Sequence, residues 1–310
     1  MAVRKNPIIC IGAALIDESY ICHAQPVRGT SNPAAYYRSA GGVARNIASH
    51  LSLLGHQVEL ITHFGSDPGG KWLMNECQSC GIGITHAIIN DFETGRFAAV
   101  LSPDGDLFAG AVSTHFEEQI NPDFLRQKTD LLKTASLLLI DTNLNAYTLK
   151  WLLNFSRSEQ IPCIIEPVSV PKAARLLQAD LQDVLLITPN RDEMLAISGN
   201  HAETNTNALI SGVLEKGVKF IWIRNGKHGS GIFAKNYSYK LDAPVVNVTD
   251  TTGAGDAGLA GWIHAWLMNR SIEECVRYGH AMSALVLEVK GAMRADLNFD
   301  LLEETYLNYK

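Results

Sequence analysis

Short runs of consecutive apolar residues recur along the chain, separated by segments in which apolar residues follow a helical period. The runs fall at 8–11, 58–62, 137–140, 163–165, 184–187 and 220–223. Helical periodicity is found at 43–54, 71–80, 257–268 and 272–289. Because a half-exposed strand alternates in polarity, strands that are apolar throughout indicate a parallel sheet covered on both faces. The pattern therefore predicts a doubly wound α/β fold, a mostly parallel sheet flanked by helices.

Two segments, about 18–40 and 92–113, break this rhythm. The first is polar and aromatic, and the second alternates around a Pro-Asp-Gly-Asp turn at 103–106, which is typical of a β-hairpin. We expect the two segments to form one small antiparallel β lid on a single domain that spans residues 1–310, since no repeat or linker divides the chain. Nearer the end, the pattern predicts a further strand at 243–248.

Composition narrows the range of partners. The chain has 310 residues, of which 46% are hydrophobic, and its 26 basic and 32 acidic side chains give a net charge of −6. It has no cluster of Lys and Arg, so we expect a small-molecule partner and neither nucleic acid nor a membrane surface.

The early apolar stretch, 8–16, ends at Asp17 and is too short to cross a membrane or to serve well as a signal peptide. We therefore expect a cytoplasmic protein whose six cysteines are reduced thiols. Cys77 and Cys80 lack the second pair of ligands that a structural zinc site needs, so a metal there is not expected.

The stretch from Asp250 to Asp256, Asp-Thr-Thr-Gly-Ala-Gly-Asp, carries the strongest chemical signal. An apolar segment precedes it and a helical pattern follows, so the backbone N–H groups of Gly253, Ala254 and Gly255 converge at a helix N-terminus, where a phosphate can bind. Asp256 then lies in the first helical turn, close enough to take a proton from an attacking hydroxyl. The alternative is that Asp256 only caps its helix and that the glycines only turn the chain.

Two stretches match the sequence patterns of nucleotide-binding motifs, but the predicted secondary structure or a required residue does not fit. Residues 253–258 satisfy Gly-x-Gly-x-x-Gly, and Glu273 or Glu274 stands where a dinucleotide-binding unit has its ribose carboxylate. That unit needs a strand ending at the acid, whereas the pattern here is helical, so a dehydrogenase is not expected. Residues 65–71 fit the start of a Walker A loop, yet Trp72 stands where the Mg²⁺-binding Ser or Thr belongs, which favours a simple turn before a helix.

A second glycine turn leads into a helix at Gly41 and Gly42, with Asn46 one turn later. Glycines permit close approach of the backbone, and an amide at this distance suits hydrogen bonding to a polyol, although an ordinary helix start uses the same residues. Asp17 follows the first strand, at the edge where open α/β sheets bind ligands. Its carboxylate can accept hydrogen bonds from two vicinal hydroxyls or cap a turn, and the residue alone leaves both open.

Asn190 and Glu193 follow another predicted strand and stand three residues apart at the start of a helix. This spacing suits a hydrated Mg²⁺ near phosphates, because Mg²⁺ keeps several waters and needs few protein ligands, and it equally suits a capping box. The turn from Gly226 to Gly229 follows the strand at 220–223, where a nucleotide can approach the backbone, and is a weak signal by itself.

Taken together, these motifs resemble those of the ribokinase-like (PfkB) family of sugar and nucleoside kinases, over nearly the whole chain. The stretch 41–46 is similar to the first signature of the family and 250–256 to its second, about 200 residues later. The residues from Asn190 to Glu193 are similar to its Asn-x-x-Glu motif. The chain departs from the family at Leu15, where an Asn is common, and at Arg224, where a Thr usually stands.

The resemblance implies a mechanism and a set of ligands. Asp256 would be the general base and 253–255 the anion hole, in a reaction that uses ATP and Mg²⁺ and is catalysed mainly by positioning and charge neutralisation. Asn190 and Glu193 would hold Mg²⁺ through water. Some members also bind K⁺, and Asp250 and Thr252 match the ligand positions. A homodimer is expected, since exposed lid strands often pair between subunits in this family. The implied ATP contacts are Asn190, Arg224, Gly226, Gly229 and Thr252.

Within the family, the chain most resembles the members that phosphorylate the 5′-hydroxyl of pseudouridine, through Ser31-Asn32-Pro33, 141–143 and 166–169. Two alternatives stay open: another kinase of the family, for ribose, a ribonucleoside or a keto sugar acid, and a non-catalytic protein that binds nucleoside or ATP. An acid substrate would want an arginine in the lid, where Arg38 and Arg96 are the candidates. The expected substrate contacts are Asp17, Ser31, Asn32, Gly41, Gly42, Asn46 and Asn143.

Overall fold

The computed structural model describes residues 6–199 and 205–309. The strands in these ranges are β1 (Ile8–Ile11), β2 (Leu15–Cys22), β3 (Ala34–Gly41), β4 (Val58–Ile61), β5 (His63–Gly65), β6 (Ile88–Asn90), β7 (Arg96–Leu101), β8 (Leu107–Ser113), β9 (Leu137–Asp141), β10 (Cys163–Glu166), β11 (Leu186–Ile187), β12 (Phe220–Arg224), β13 (Ser230–Ala234) and β14 (Tyr237–Leu241). The α-helices are α1 (Val43–Leu53), α2 (Pro68–Ser79), α3 (Phe116–Gln119), α4 (Pro122–Arg126), α5 (Thr129–Lys133), α6 (Ala146–Ser158), α7 (Val170–Ala173), α8 (Arg191–Ser198), α9 (Thr206–Leu214), α10 (Ala254–Leu267), α11 (Ile272–Leu287) and α12 (Phe299–Asn308).

Eight strands form the main sheet, in the order β14-β13-β12-β11-β10-β9-β1-β4. The six from β12 to β4 run parallel, and β13 and β14 add an antiparallel edge. In β1, Ile8 and Cys10 belong to one buried cluster, while Ile9 and Ile11 belong to another on the opposite face. Because successive side chains of a strand point to opposite faces, both faces are covered, and the predicted doubly wound fold is confirmed.

A second sheet of four strands, in the order β3-β2-β7-β8, is built from the two segments that break the apolar rhythm. The pairs β2–β3 and β7–β8 are antiparallel, but β2 and β7 run parallel, so this lid consists of two hairpins joined side by side. Three residues separate β1 from β2, and β3 ends just before α1. The base of the lid is therefore continuous with the carboxyl edge of the main sheet.

The prediction of a strand at 243–248 is wrong. These residues adopt no regular structure between β14 and α10. Pro244 has no N–H to contribute to a ladder, and Val245 is 98% exposed. An apolar run without a neighbouring strand edge gains nothing from extending a sheet, so the sheet ends at Leu241.

The Walker-like stretch is a turn before a helix, as predicted. The side chain of Asp67 accepts a 2.7 Å hydrogen bond from the N–H of Gly70 and thereby caps α2. Glu273 and Glu274 lie in the first turn of α11, not at the end of a strand.

Two further expectations concern metals and membranes. Within residues 6–199 and 205–309, no group of three or more His, Cys, Asp or Glu side chains is arranged to hold a metal ion. Cys77 and Cys80, at the end of α2, are free thiols. No helix in the same ranges is long and apolar enough to cross a membrane.

Candidate active site

The N-terminus of α10 opens at the carboxyl edge of the main sheet. Gly253 is its N-cap residue, with a φ of 74°, and no side chain caps the helix. A Cβ at Gly253 would lie 2.5 Å from the Cβ of Ala292, so the left-handed turn and the close contact both require glycine. Because the first N–H groups of a helix have no acceptor within it, the amides of 253–255 and the helix dipole form a site suited to an anion.

Asp256 lies in the first turn of α10, beside these amides. The Nδ2 of Asn46 donates a 2.9 Å hydrogen bond to its Oδ2. Burial raises the pKa of Asp256 to about 7; Asn46 and Arg224 oppose the shift, and the carboxylates of Glu166 and Asp141 add to it. A carboxyl group with a pKa near neutrality is matched to proton abstraction from a hydroxyl at physiological pH.

Arg45 fixes the orientation of Asn46. Its guanidinium is 2% exposed and donates through Nη1 to the Oδ1 of Asn46 at 3.2 Å and to the carbonyl of Ala40 at 3.1 Å. Since the oxygen of the Asn46 amide accepts from Arg45, its NH₂ group faces Asp256. The two glycine motifs, far apart in sequence, are thus joined by a chain of directed hydrogen bonds.

Asp17 lies at the base of the lid, against Gly41. A Cβ at Gly41 would overlap the Asp17 carboxyl group, so this glycine makes room for the acid. Burial raises the pKa of Asp17 to about 6, and the charge of Arg45 opposes the shift. Gly42 has a φ of 98°, and a Cβ there would overlap the carbonyl of Ala13. Both glycines serve close approach, and Asp17 offers a partly desolvated acceptor at the edge of the sheet.

Asp141 is a buried carboxylate to which the sequence motifs assign no role of its own. It is 0% exposed and accepts from the backbone N–H groups of Ala13 (2.9 Å), Ala44 (3.2 Å) and Asn143 (3.0 Å). Gly42, the N-cap residue of α1, has no side chain to cap the helix. Asp141 supplies the missing acceptor for the N–H of Ala44 and so holds α1 against the end of β9.

Arg224 was expected to contact ATP. In the structure, its side chain forms hydrogen bonds to other groups of the protein. Its guanidinium donates to Glu166 Oε2 at 2.8 Å, to the carbonyl of Thr188 at 3.0 Å and to the carbonyl of Gly255 at 2.5 Å. Glu166 is 5% exposed and accepts a further hydrogen bond from the Thr188 hydroxyl. Because a Cβ at Gly255 would lie 2.9 Å from the guanidinium, that glycine lets Arg224 approach the first turn of α10.

Asn190 and Glu193 form a capping box at the start of α8. The Oδ1 of Asn190 accepts from the Glu193 N–H at 2.9 Å, and Glu193 Oε2 accepts from the Asn190 N–H at 2.9 Å. Burial raises the pKa of Glu193, and the neighbouring charge of Glu166 adds to the shift, while the Asn190 N–H and Arg224 oppose it. Two neighbouring acidic side chains favour a nearby cation, and oxygen donors that act through water are the type that Mg²⁺ accepts.

Asp250 organises the loop before α10. Its Oδ1 accepts from the N–H and the hydroxyl of Thr252, at 2.9 and 2.8 Å, and its Oδ2 accepts from the N–H of Gly291 at 2.9 Å. Partial burial alone would raise the pKa of Asp250, but these hydrogen bonds hold it below its usual value. The acid therefore stays ionised beside the anion-binding N-terminus, and oxygen donors of this kind suit a monovalent cation.

The turn from Gly226 to Gly229 is a short 3₁₀ helix between β12 and β13. Both glycines have positive φ, 54° and 78°, and a Cβ at Gly229 would overlap the carbonyl of Leu241. The turn lies at the same carboxyl edge as Arg224, the last residue of β12.

Ser31 and Asn32 lie at the far end of the first lid hairpin. Asp17 pairs with Ser39 and Cys22 with Ala34, so the loop begins five residues, or about 17 Å, beyond Asp17 along the strand. The side-chain amide of Asn32 is bonded within the loop, accepting from the Val27 N–H at 2.8 Å and donating to the Val27 carbonyl at 3.0 Å. The structure places these two residues at the lid tip rather than beside Asp256.

Asn143, another expected substrate contact, follows β9 and is 3% exposed. Its Oδ1 accepts a hydrogen bond from Lys172, a residue that sequence reasoning missed. Lys172 lies in α7, directly after the Glu-Pro-Val-Ser stretch at 166–169. The signal was present in the sequence, since a lysine that follows a motif at the end of a buried strand is close to the ligand edge of the sheet.

These features define a phosphotransferase. A helix N-terminus without a side-chain cap stands beside a buried carboxyl group, and both lie at the edge of a doubly wound sheet next to a small lid. A model of the pfkB family of carbohydrate kinases matches residues 5–298. The chain therefore belongs to this family of kinases. Membership of the family indicates a phosphotransferase with an alcohol group as acceptor.

Comparison with individual proteins agrees with that class. The chain is 27% identical over 304 residues to a pseudouridine kinase of Escherichia coli, covering 95% of each chain. It is 25% identical over 264 residues to a ribokinase of Haemophilus influenzae, covering 83% of this chain and 84% of the relative. The structure of Arabidopsis thaliana ribokinase complexed with ribose and ATP superimposes with a TM-score of 0.82 at 20% identity, covering 97% of this chain and 98% of that one, which shows the shared fold.

Proposed function

We propose that this protein transfers the γ-phosphoryl group of ATP to the 5′-hydroxyl of pseudouridine, giving pseudouridine 5′-phosphate and ADP. The observation that carries the phosphoryl transfer is the 2.9 Å hydrogen bond from Asn46 to Asp256, next to the uncapped amides of α10. It brings together a base with a pKa near 7 and a binding site for the transferring group.

The roles of the remaining residues follow from their positions. Asp256 takes the proton of the attacking hydroxyl, and the amides of 253–255 stabilise charge on the phosphoryl group. Asp17 accepts hydrogen bonds from the ribose diol. ATP lies along the edge formed by the Gly226–Gly229 turn, and Glu193 holds Mg²⁺ through water, with Asn190 orienting its carboxylate. The metal, when bound, neutralises charge on the phosphates.

Two similarities favour pseudouridine as the acceptor. The match to the Escherichia coli pseudouridine kinase extends over 95% of both chains, and Asn143 and the 166–169 stretch, which carry the subgroup likeness, lie next to each other at the ends of β9 and β10. The departure at Arg224 is consistent with this function, since Arg224 supports Gly255 and Glu166 from within the protein rather than reaching ATP.

A keto sugar acid is a weaker candidate. Both lid arginines that would receive its carboxylate are engaged: Arg96 pairs with Glu18 at 2.8 Å, and Arg38 stacks over Trp72 with its Cζ 4.1 Å from the ring centroid. A sugar without a charge, such as ribose, remains the main alternative, because the match to the Haemophilus influenzae ribokinase is of similar identity. We also propose that the enzyme works in the cytoplasm, as a homodimer, and that K⁺ binds near Asp250 and Thr252.

ADP release from Mg-ATP, measured in parallel with pseudouridine, uridine, ribose, fructose and 2-keto-3-deoxygluconate, tests the proposal. We expect the highest kcat/KM with pseudouridine. The Asp256→Asn variant serves as the blank, since it lacks the base but keeps the fold. A clear preference for ribose or another acceptor would reject pseudouridine and leave the family and the role of Asp256 in place. Binding of nucleoside without any turnover would favour the non-catalytic alternative.

A further inference from the structure

Lys172 is a half-buried cation at the edge of the sheet, with one hydrogen-bond acceptor from the described part of the chain. Its Nζ donates to the Oδ1 of Asn143, a neutral amide. An ammonium group has three N–H donors, so one bond to an amide leaves two for another partner. Burial lowers the pKa of Lys172, opposed by the charge of Asp141. A partly desolvated ammonium with spare donors is a binding group for an acceptor atom.

The position of Lys172 is set by its connection to β10. The chain turns sharply after Glu166, and Val168 has a φ of 66°, a conformation that β-branched residues rarely adopt. Because of this turn, α7 begins only four residues after the end of β10. Because Glu166 pairs with Asp141 across β10 and β9, the turn brings Lys172 over the loop that follows β9.

That loop is held rigidly. The guanidinium of Arg175 donates to the carbonyls of Thr142, Asn143 and Leu144 at 3.1, 3.0 and 2.9 Å. Its other nitrogen donates to Glu117 at 2.8 Å, in the helix that follows the last lid strand. Since Arg175 neutralises Glu117 and satisfies the loop carbonyls, these groups do not need Lys172.

Asn143 itself is used within the protein. Its backbone N–H donates to Asp141 at 3.0 Å, its side chain also lowers the pKa of Asp141 through a hydrogen bond, and its Oδ1 accepts from Lys172. The amide is thus occupied on both sides. The group in this cluster that keeps donors for a ligand is the ammonium of Lys172, and Asn143 positions it.

Lys172 and Asp256 lie at opposite ends of a short chain of contacts. Asp141 accepts hydrogen bonds from the N–H groups of Ala44 and Asn143. Asn46, two residues after Ala44, donates to Asp256, and Asn143 accepts from Lys172. A substrate whose hydroxyl meets Asp256 can therefore extend past Asp141 toward Lys172.

We propose that Lys172 is a specificity-determining residue that donates a charge-assisted hydrogen bond to a ring carbonyl oxygen of the substrate base, with Asn143 as its positioning residue. This inference rests on the proposed function, because it assigns to Lys172 the recognition of a pyrimidine-dione. A base that presents an amino group at that point would place donor against donor and bind poorly.

The test compares two ligands in two assays. One ligand is pseudouridine, and the other is the phenyl C-riboside, which keeps the ribose, the C-glycosidic bond and an aromatic ring but has no carbonyl. Binding to the full chain is measured by calorimetry without ATP, and turnover by ADP release. The variants are Lys172→Met, which keeps the length of the side chain, and Lys172→Arg, which keeps its charge. Lys150→Met, an exposed lysine on α6, is the matched control.

We expect Lys172→Met to weaken binding of pseudouridine and lower its kcat/KM by about 10- to 100-fold, the usual effect of losing a hydrogen bond to a charged group. The phenyl riboside should change less than about threefold, and Lys172→Arg should recover part of the loss. Equal losses for both ligands would mean a structural role and would overturn the inference, as would no loss for either.

The experiments distinguish a failure of the proposed function from a failure of the inference about Lys172. If pseudouridine binds but is not phosphorylated, the proposed function is wrong, and Lys172→Met must still weaken its binding for the inference to stand. If pseudouridine is phosphorylated and Lys172→Met phosphorylates it equally well, the function stands and the inference is wrong.

Discussion

Asn46 and Asp256 are 210 residues apart in sequence and are joined by a 2.9 Å hydrogen bond. Asn46 belongs to the first turn of α1, which follows the first lid hairpin, and Asp256 belongs to the first turn of α10. The bond connects the glycine motif at 41–46 to the one at 250–256. It also affects the pKa of Asp256, because an N–H donor favours the ionised carboxylate and so opposes the rise that burial causes.

Asp256→Asn should lower kcat by about three orders of magnitude, because it removes the base and leaves the anion-binding amides in place. Steady-state ADP release with saturating substrate measures this. Asp130→Asn, a change of the same kind at an exposed position on α5, is the control. A loss below about tenfold would mean that Asp256 is a helix cap and not the base.

The same substitution should stabilise the protein at alkaline pH. The pKa of Asp256 is raised from 3.8 to about 7 in the folded chain, so its ionisation disfavours folding. This destabilisation is absent below about pH 3.8, grows up to about pH 7 and is complete above it. Thermal unfolding should therefore show a higher Tm for Asp256→Asn at pH 8, with a smaller gain at pH 5. A lower Tm at pH 8 would contradict the assignment.

Asn46→Ala should move the acid limb of the kcat profile to higher pH. In the wild type, the rate should rise through about pH 7 as Asp256 loses its proton. Without the Asn46 donor, the carboxylate loses a stabilising hydrogen bond, and we expect a rise of about one pH unit. The pH dependence of kcat from pH 5 to 9 measures the shift, with Asn154→Ala on the exposed face of α6 as the control. An unchanged midpoint would show that another group limits the rate.

Glu193→Gln should raise the Mg²⁺ concentration needed for half-maximal rate by about tenfold, the size of effect found for groups that act on a metal through water. The substitution removes a charge but keeps an oxygen to accept from Asn190, so α8 should stay capped. Titration of Mg²⁺ at fixed ATP measures the change. Asp192→Asn, next to it on the exposed side of the helix, should leave the titration unaltered. Similar shifts for both variants would point to general electrostatics.

His264→Leu should flatten the loss of stability in acid. His56 and His264 share a 2.9 Å hydrogen bond, and burial lowers their pKa values to about 4 and about 3. The unfolded chain binds these protons near pH 6.5 and the folded chain does not, so stability falls as pH drops from 6.5 toward 4. Removing one histidine should reduce the slope of the unfolding free energy by about 1.4 kcal/mol per pH unit.

Urea unfolding at several pH values between 4.5 and 7 measures this slope. His23→Gln, an exposed histidine on the lid, is the control and should keep the wild-type slope. If His264→Leu also keeps it, the pair does not govern acid sensitivity.

Val112→Lys should weaken a homodimer formed through the lid. Every residue of β8 is exposed, and Leu107 and Val112 are 60% and 58% exposed on this edge strand. An open apolar edge is a template for pairing with a second copy. Light scattering after size exclusion should show a dimer for the wild type and a shift toward monomer for Val112→Lys. Val245→Lys, at a still more exposed position outside the lid, should remain dimeric. A monomeric wild type would reject the dimer.

Much of the fold was predictable because it depends on local patterns. Strands buried on both faces must be apolar throughout, so β1, β4 and β9 stand out in the sequence. The strand predicted at 243–248 does not form, because a strand needs a free edge to pair with, and pairing is a property of the whole sheet. The parallel pairing of β2 with β7 lies beyond local patterns for the same reason.

The sequence by itself determined the doubly wound class, the lid segments and the two glycine motifs, since each rests on a residue type that its local conformation requires. Tertiary structure alone decided how those pieces act on one another. Burial and the charges of Glu166 and Asp141 raise the pKa of Asp256. The sheet order brings Lys172 to Asn143, and the length of the lid hairpin places Ser31 and Asn32 away from Asp17. Charge interactions and hydrogen bonds depend on distance in space, and distance between residues far apart in sequence is fixed only when the chain has folded.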